Sequence, residues 1–173
     1  DFNSRELRRV ALAPADDDEI AATVKVMGGE DWEDWIGQLK DEGCLAEGCL
    51  TTNYTYLGSE VTWPIYYHGT IGRAKEDLDR AARALSSVLA EVNGQANVIV
   101  MKGLLTQAAS AIPGMSVYLS LLFKAMKAEG THEGCLEQVD RLFRTQLFSS
   151  PQRRDDAGRI RMDDWELKPE IQA

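Results

Sequence analysis

The feature that most constrains the fold is a long amphipathic segment between two strand-like segments. Within residues 70–92 a single apolar stripe recurs every three or four positions and comprises Ile71, Ala74, Leu78, Ala81, Leu85, Val88, Leu89 and Val92. This spacing predicts a helix of about six turns. The alternating segment 51–57 precedes this helix, and the nearly continuous apolar run 97–102 follows it after the turn-forming pair Asn93-Gly94. Such a run is typical of a strand buried in a parallel sheet, so the pattern predicts an α/β fold.

The N-terminal region is predicted to add one extended segment and two helices. Residues 1–13 have the pattern of an extended segment, in which residues 10–12 are predicted to form a short strand. Residues 16–27 are predicted to form a helix because four acidic residues at its start are favourable at a helix N-terminus. In the second helix Trp32, Trp35, Ile36 and Leu39 share one face. We expect both tryptophans to pack on the core and Gly43 to end this helix.

The C-terminal region is predicted to contain two more helices and a small strand. Residues 110–113 are predicted to open a helix that ends at Gly130, with Pro113 near its first turn. The next helix is predicted from residue 131 to residue 147, and His132 within it has a capping or packing role rather than a catalytic one. Residues 159–162 are predicted as a small strand. Residues 163–166 are predicted to form a final turn that is too short to dock on the rest of the chain by itself.

Composition excludes several classes of function. A length of 173 residues is that of one domain, and a net charge of −9 argues against nucleic-acid binding as the main task. Three cysteines, an odd number, fit a reducing compartment. The spacing of Cys44 and Cys49 is not that of a zinc site and the chain has only two histidines, so no metal site is predicted. No apolar run reaches the ~18 residues of a membrane span.

Residues 65–75 carry the strongest chemical signal. Tyr66 and Lys75 lie nine positions apart, with Gly69 and Gly72 between them. On one unbroken helix they would point to opposite sides, so they converge only if Tyr66 precedes the helix and Lys75 lies in its first turns. A nearby cation lowers the pKa of a phenol and makes it a better proton donor to a developing oxyanion. Without this spacing, Lys75 would be an ordinary surface lysine.

The segments around this pair resemble the trans-2-enoyl-CoA and enoyl-[acyl-carrier-protein] reductases. In that family a Tyr-x8-Lys pair replaces the Tyr-x3-Lys pair of ordinary short-chain reductases. Residues 62–66 and 69–77 carry the resemblance, and further similar segments occur in the family order at residues 26–32, 106–113 and 127–138. The resemblance covers nearly the whole chain.

The resemblance implies a Rossmann-type fold of which residues 1–173 form the C-terminal catalytic part, incomplete at both ends. No G-x-G-x-x-G turn occurs in the sequence, so the pyrophosphate of a dinucleotide would be bound by a nucleotide-binding half or a partner subunit outside this chain. The chain alone is therefore expected to bind NADH weakly and to turn over little substrate. The compartment would be the cytoplasm or the mitochondrial matrix, and residues 62–64 and 158–165 resemble most the organelle-targeted branch.

The resemblance also implies the reaction and the roles of individual residues. NADH, or alternatively NADPH, would reduce the 2,3 double bond of an enoyl-CoA or enoyl-ACP in fatty-acid synthesis. Tyr66 would donate the proton, while Lys75 would bind the nicotinamide ribose and hold the pKa of Tyr66 down. Tyr56 would contact the thioester. Further residues would line the cofactor, namely Leu104, Leu105 and Thr106. Without the resemblance, the sequence would favour a packed strand residue for Tyr56 and a helix cap for Thr106.

Two other functions remain open at this stage. The chain could be a catalytically inactive, reductase-derived structural subunit of a larger assembly, with the Tyr66 and Lys75 pair inherited. It could also be a general short-chain reductase that acts on ketones, although the Tyr-x8-Lys spacing argues against this. Activity on a ketone but not on an enoyl thioester would favour the ketone reductase.

Overall fold

A computed structural model gives the structure of residues 6–173. The helices are α1 (Asp17–Met27), α2 (Glu30–Asp41), α3 (Thr70–Leu89), α4 (Gln107–Ala111), α5 (Met115–Ala128), α6 (Cys135–Leu142) and α7 (Pro169–Gln172). The strands are β1 (Leu50–Thr55), β2 (Gln95–Val100) and β3 (Ile160–Arg161). Short 3₁₀ turns at Glu60–Thr62 and Ala90–Val92 and a π-helical turn at Phe143–Leu147 complete the regular structure.

The three strands form one parallel sheet in the order β1-β2-β3. Leu50 pairs with Gln95 and Thr55 with Val100, so β1 and β2 are in register along their whole length. In the described part of the chain β1 is an edge strand, because its only neighbour is β2. The predicted α/β fold with a parallel sheet is confirmed, and all three of its strands were predicted within a few residues.

Helices cover both faces of the sheet because β2 is apolar on both faces. Val98 points to the face that carries α2 and α3, where the buried residues are Trp32, Ile36, Leu78, Ala81, Leu85 and Leu89. Ile99 points to the opposite face and packs with Leu142, Leu147, Ile160 and Met162. Successive side chains of a strand alternate between faces, so a continuous apolar run is what a strand covered on both sides requires.

A third cluster lies beyond the carboxyl ends of the strands and contains the candidate site. Helix α5 contributes most of its buried side chains, and the cluster consists of Tyr66, Met115, Leu119, Leu122, Met126 and Ile171. Tyr56, the residue after β1, packs against it half-buried. Ligands of open parallel sheets bind at this end of the strands, so the cluster lies where a substrate site is expected.

Local sequence explains the ends of the helices. Asp16 caps α1 with a capping box, in which its carboxylate accepts a hydrogen bond from the Glu19 N–H at 2.8 Å. Gly43 follows α2 with φ +64°, and Gly130 follows α5 with φ +67°. Glycine adopts this left-handed conformation without steric cost, so both predicted helix ends are confirmed. The predicted helix 70–92 is confirmed as α3 and the 3₁₀ turn that continues it.

Several predicted details are wrong. Of the predicted extended segment 1–13, residues 1–5 lie outside the described residues, and residues 10–12 form no strand because they have no pairing partner in residues 6–173. Residues 110–113 do not open the helix, because α4 ends at Ala111 and α5 begins only at Met115, two residues after Pro113. Trp32 is buried, but Trp35 is 61% exposed. The last predicted helix begins only at Cys135, because the turn after α5 extends through residue 134.

The helices of residues 6–173 are all too short or too polar to cross a membrane.

Candidate active site

The segment between β1 and α3 places Tyr66 at the carboxyl end of the sheet. Successive turns hold it there, because the Tyr66 N–H donates to the Thr62 carbonyl at 3.0 Å and the His68 N–H to the Trp63 carbonyl at 2.8 Å. Helix α3 then begins at Thr70. Tyr66 therefore precedes the helix, and Lys75 lies in its second turn, as the two glycines predicted.

Gly72 lets the start of α3 pack directly on this segment. A Cβ atom added to Gly72 would lie 1.6 Å from the Tyr67 carbonyl oxygen, far closer than any real contact. The helix can therefore approach the backbone next to Tyr66 only because residue 72 has no side chain. This close approach fixes the position of Lys75 relative to Tyr66.

Tyr66 is almost fully buried, and its hydroxyl has no partner in the part of the chain that the structure describes. The side chain is 7% exposed, and its ring packs edge-on against Tyr56 with the ring centres 5.3 Å apart. Among residues 6–173 no group accepts or donates a hydrogen bond to the hydroxyl. Burial raises the pKa of Tyr66 to about 12. The phenol is thus protonated at neutral pH and free to donate to a ligand.

Lys75 is half-buried beside a cavity next to β1. It borders a cavity of about 570 Å³ whose walls come from α1, α2 and β1, including Trp32, Trp35 and Thr51. Its ammonium has no ion pair or hydrogen bond within the described part of the chain. Burial lowers the pKa of Lys75, and the carboxylate of Asp79 opposes this change. A half-buried cation without a protein partner can bind a ligand oxygen.

The structure does not show Tyr66 and Lys75 in contact. No hydrogen bond joins them, and the pKa of Tyr66 is raised by burial rather than lowered by an ammonium. The physical reason is that Tyr66 packs on α5, whereas Lys75 faces the cavity beside β1. Their predicted pairing around a ligand, including the role of Lys75 in holding the tyrosine pKa down, stays a prediction.

The other predicted residues lie around the same end of the sheet. Tyr56 follows β1 directly, and Leu104 and Leu105 follow β2 in a loop where Leu104 is half-buried and Leu105 is exposed. The Thr106 hydroxyl accepts a hydrogen bond from the Ala109 N–H at 3.0 Å and so caps α4. Thr106 is therefore a helix cap in this structure, and the cofactor contacts of these three loop residues stay a prediction.

Glu166 is a functional candidate that the sequence reasoning missed. Its carboxylate is fully buried and accepts hydrogen bonds from the hydroxyls of Tyr56 at 2.7 Å and Tyr118 at 2.9 Å. The final turn was expected not to dock, and this is wrong, because these bonds anchor it on β1 and α5. An acidic residue shortly after the predicted strand 159–162 was the available signal, since it lies at the carboxyl end of a parallel strand.

Lys102 is a second buried charged residue near the site. It is 2% exposed, its ammonium donates to the Gly103 carbonyl at 3.0 Å, and it lies 4.5 Å from the centre of the Phe123 ring. Burial lowers the pKa of Lys102. His132 packs on the same ring at 4.7 Å, in agreement with the packing role expected for it. In residues 6–173 no three His, Cys, Asp or Glu side chains are grouped as metal ligands.

The residues present fit one end of a dinucleotide cofactor. Within residues 6–173 neither the Tyr66 hydroxyl nor the Lys75 ammonium forms a hydrogen bond, so each can bind a ligand oxygen. A ribose hydroxyl can pair with an ammonium. Contact of one ribose with both groups stays a prediction, because Lys75 borders the cavity beside β1 and Tyr66 packs on α5. The cavity beside Lys75, at about 570 Å³, accommodates part of a dinucleotide rather than all of it.

Comparison with known proteins identifies relatives of this site. The family model described as the trans-2-enoyl-CoA reductase catalytic region matches residues 1–148. The enoyl-[acyl-carrier-protein] reductase [NADH] of Tolumonas auensis is 55% identical over 172 residues, which are 99% of this chain and 43% of that protein. The enzyme of the same name from Teredinibacter turnerae is 58% identical over 168 residues, 97% of this chain and 42% of that protein.

The solved structures that match this chain are also enoyl-thioester reductases. A trans-2-enoyl-CoA reductase of Treponema denticola in complex with NAD superposes with a TM-score of 0.86 at 50% identity, over 92% of this chain and 40% of that one. The reductase of Clostridium acetobutylicum in complex with NADH gives a TM-score of 0.87 at 42% identity, over 91% of this chain and 40% of that one. The chain thus spans about two fifths of the length of these relatives. Because the family's catalytic region matches 148 of its residues, the chain belongs to the trans-2-enoyl-CoA reductase family.

Proposed function

We propose that the full-length gene product reduces the 2,3 double bond of an enoyl thioester, carried on coenzyme A or acyl-carrier protein, in fatty-acid synthesis. The observation that carries this proposal is the match of the family's catalytic region to residues 1–148. The two tyrosines at the carboxyl end of the sheet support it, since their rings lie together where parallel sheets bind substrates.

NADH is the proposed cofactor. The Tolumonas auensis relative carries NADH in its name, and the matched structures are of complexes with NADH or NAD. When bound, NADH supplies the hydride that adds to C3 of the enoyl group. The ammonium of Lys75 would hold the nicotinamide ribose, and Leu104, Leu105 and Thr106 in the loop after β2 would line the cofactor.

The hydroxyl of Tyr66 stabilises the negative charge that develops on the thioester oxygen. It donates a hydrogen bond to that oxygen and supplies the proton that completes the reduction. The burial of Tyr66 excludes water from the hydroxyl. This strengthens the hydrogen bond, because opposite charges attract more strongly in a medium of low dielectric constant. If a bound ribose brought the Lys75 ammonium next to Tyr66, that charge would lower the pKa of the phenol from its buried value and so favour proton transfer.

Tyr56 contributes its ring to the thioester site. Its single hydroxyl hydrogen is donated to Glu166, so the side chain orients the thioester by contact rather than by donating a hydrogen bond. Tyr118, which shares Glu166, also borders a cavity of about 1010 Å³ with mostly apolar walls, including Leu121 and Leu122. Such a cavity suits the apolar acyl part of the substrate.

The two other functions considered from the sequence have less support. The matched relatives are named as reductases, which favours an active enzyme over a structural subunit. The substrates named for these relatives are enoyl thioesters, which argues against a ketone reductase. The relatives are bacterial enzymes, so we propose a cytoplasmic rather than a mitochondrial location.

Substitution of Tyr66 tests the proposed mechanism. In the full-length gene product, Tyr66→Phe removes only the hydroxyl, and we expect kcat for crotonyl-CoA reduction by NADH to fall by about 10²-fold or more. Tyr54→Phe, on the exposed side of β1, is the matched control and is expected to leave kcat unchanged. Wild-type kcat in Tyr66→Phe would contradict the assignment of the proton donor.

A second assay tests whether residues 1–173 need further segments of the protein to bind the cofactor. The 173-residue chain by itself is expected to give little or no NADH oxidation with crotonyl-CoA, because it lacks a glycine-rich turn to bind the pyrophosphate. Tryptophan fluorescence and far-UV circular dichroism serve as controls for folding. Robust turnover by the folded chain would show that residues 1–173 bind the cofactor without further segments.

A further inference from the structure

The fully buried Glu166 carboxylate joins the ends of all three strands. It lies shortly after β3, accepts from the hydroxyl of Tyr56 after β1, and accepts from the Gly103 N–H after β2 at 2.7 Å. The Tyr118 hydroxyl on α5 donates to the same oxygen as Tyr56. One side chain therefore ties the sheet and α5 together at the end where the candidate site lies.

The charge of Glu166 is stabilised by three hydrogen bonds and by the electrostatic attraction of the Lys102 ammonium. Burial raises the pKa of Glu166, while the three donors from Gly103, Tyr56 and Tyr118 oppose this change. Within residues 6–173 no lysine, arginine or histidine forms an ion pair with it. A buried carboxylate is costly even with a cation nearby, and a well-packed apolar residue usually serves stability at least as well as a buried pair of charges. Its presence here is therefore better explained by a role at the site than by stability.

The hydrogen bond to Glu166 determines how Tyr56 faces Tyr66. Gly103 leaves room for this arrangement, because a Cβ atom added there would lie 3.1 Å from the Tyr56 hydroxyl and 2.7 Å from a methyl group of Leu119. With its hydroxyl fixed, the Tyr56 ring packs edge-on against the Tyr66 ring. The angle between the two ring planes is 68°, and the ring centres are 5.3 Å apart. Small shifts of Tyr56 are thus transmitted to the proposed proton donor.

We propose that Glu166 is a positioning residue for the enoyl-thioester site, which acts by holding the Tyr56 side chain against Tyr66. This inference rests on the proposed function for the identity of the reaction. Glu166 itself contacts neither substrate nor cofactor. It fixes the wall against which the phenol of Tyr66 is packed, so its loss lowers the rate of the chemical step more than the binding of substrate.

The test is Glu166→Gln in the full-length gene product. The carboxamide has nearly the same shape, but only one of its two ends accepts hydrogen bonds, so either the Gly103 N–H or the two tyrosine hydroxyls face a donor. We expect kcat to fall by about 10- to 100-fold. KM and the dissociation constant of butyryl-CoA, a saturated ligand measured by calorimetry, are expected to change by less. Glu170→Gln, an exposed and chemically identical change in α7, is the matched control.

A double-mutant cycle separates positioning from general structural support. If Glu166 acts through Tyr56, Glu166→Gln lowers kcat by less than about twofold when introduced into Tyr56→Phe. If Glu166 only stabilises the fold, the two losses multiply, and the proposal is overturned. A wild-type kcat in Glu166→Gln overturns it as well. If Glu166→Gln does not fold, Glu166→Asp, which keeps the charge but shortens the reach, is carried through the same cycle with the same criteria.

The outcomes also distinguish this inference from the proposed function. An inactive Tyr66→Phe variant together with an unaffected Glu166→Gln variant refutes only the role of Glu166. A fully active Tyr66→Phe variant refutes the proposed proton donor, whatever Glu166→Gln does.

Discussion

Replacement of Gly72 by alanine is expected to damage both the fold and the site. Gly72 lies in the first turn of α3, between the two residues proposed to act on the substrate and the cofactor ribose. The added Cβ atom would lie 1.6 Å from the Tyr67 carbonyl oxygen and 2.5 Å from the Tyr67 carbonyl carbon. Both are backbone atoms and cannot rotate away, so the helix and the preceding segment have to separate.

The size of the effect follows from these distances. The Cβ–oxygen separation has to grow by about 1.4 Å, from 1.6 Å to the 3.0 Å below which real contacts are essentially absent. Overpacking of this kind costs about 1–3 kcal/mol and occasionally more, whereas the better helix propensity of alanine returns about 1 kcal/mol. Because both clashing atoms belong to the backbone, the cost lies at the upper end of this range, and we expect a net loss of about 2 kcal/mol in the free energy of unfolding. A displacement of about 1 Å at a site costs about 100-fold in rate, so kcat should fall by about that factor.

Two assays and one control check this reasoning. Urea unfolding, followed by tryptophan fluorescence, measures the stability, and NADH oxidation with crotonyl-CoA by the full-length gene product measures kcat. Gly37→Ala is the control, because a Cβ atom at this helical position meets nothing within 4 Å and is expected to stabilise α2 by about 1 kcal/mol. A Gly72→Ala variant as stable and active as the wild type would refute the argument from close approach.

Two further predictions concern the stability of the chain. Leu78→Ala, which truncates a buried residue of α3, should cost about 2–5 kcal/mol in urea unfolding, whereas Leu136→Ala, 81% exposed, should stay within about 0.5 kcal/mol of wild type. Hydrogen bonds from Arg80 and the Gly29 N–H lower the pKa of Asp77, so the unfolded state binds its proton at a higher pH than the folded state. The stability advantage of wild type over Asp77→Asn, about 1 kcal/mol, should be complete above the unfolded pKa of about 4 and disappear as the pH falls through the folded value. An advantage that grows toward acid pH would contradict this assignment.

Most of the fold was predictable from the sequence because its main elements carry their own local signals. The apolar stripe of α3 and the continuous apolar run of β2 each correspond to one periodicity, and each is found within a few residues of its predicted place. Capping by Asp16 and the left-handed glycines at positions 43 and 130 depend only on neighbouring residues. Trp35 was misplaced because a helical stripe shows which residues share a face but not how wide a face the rest of the protein covers.

The site was predictable only in part. The sequence determined the order of its parts: a phenol before a helix, an ammonium in its second turn and two glycines between them. Tertiary structure alone decided that the Tyr66 ring packs on Tyr56 and α5, that Lys75 faces a separate cavity, and that Glu166 ties the strand ends together. The hydrogen bond between Tyr56 and Glu166 spans 110 positions. Periodicity and spacing describe neighbours along the chain, whereas contacts over such a distance depend on how the whole chain packs.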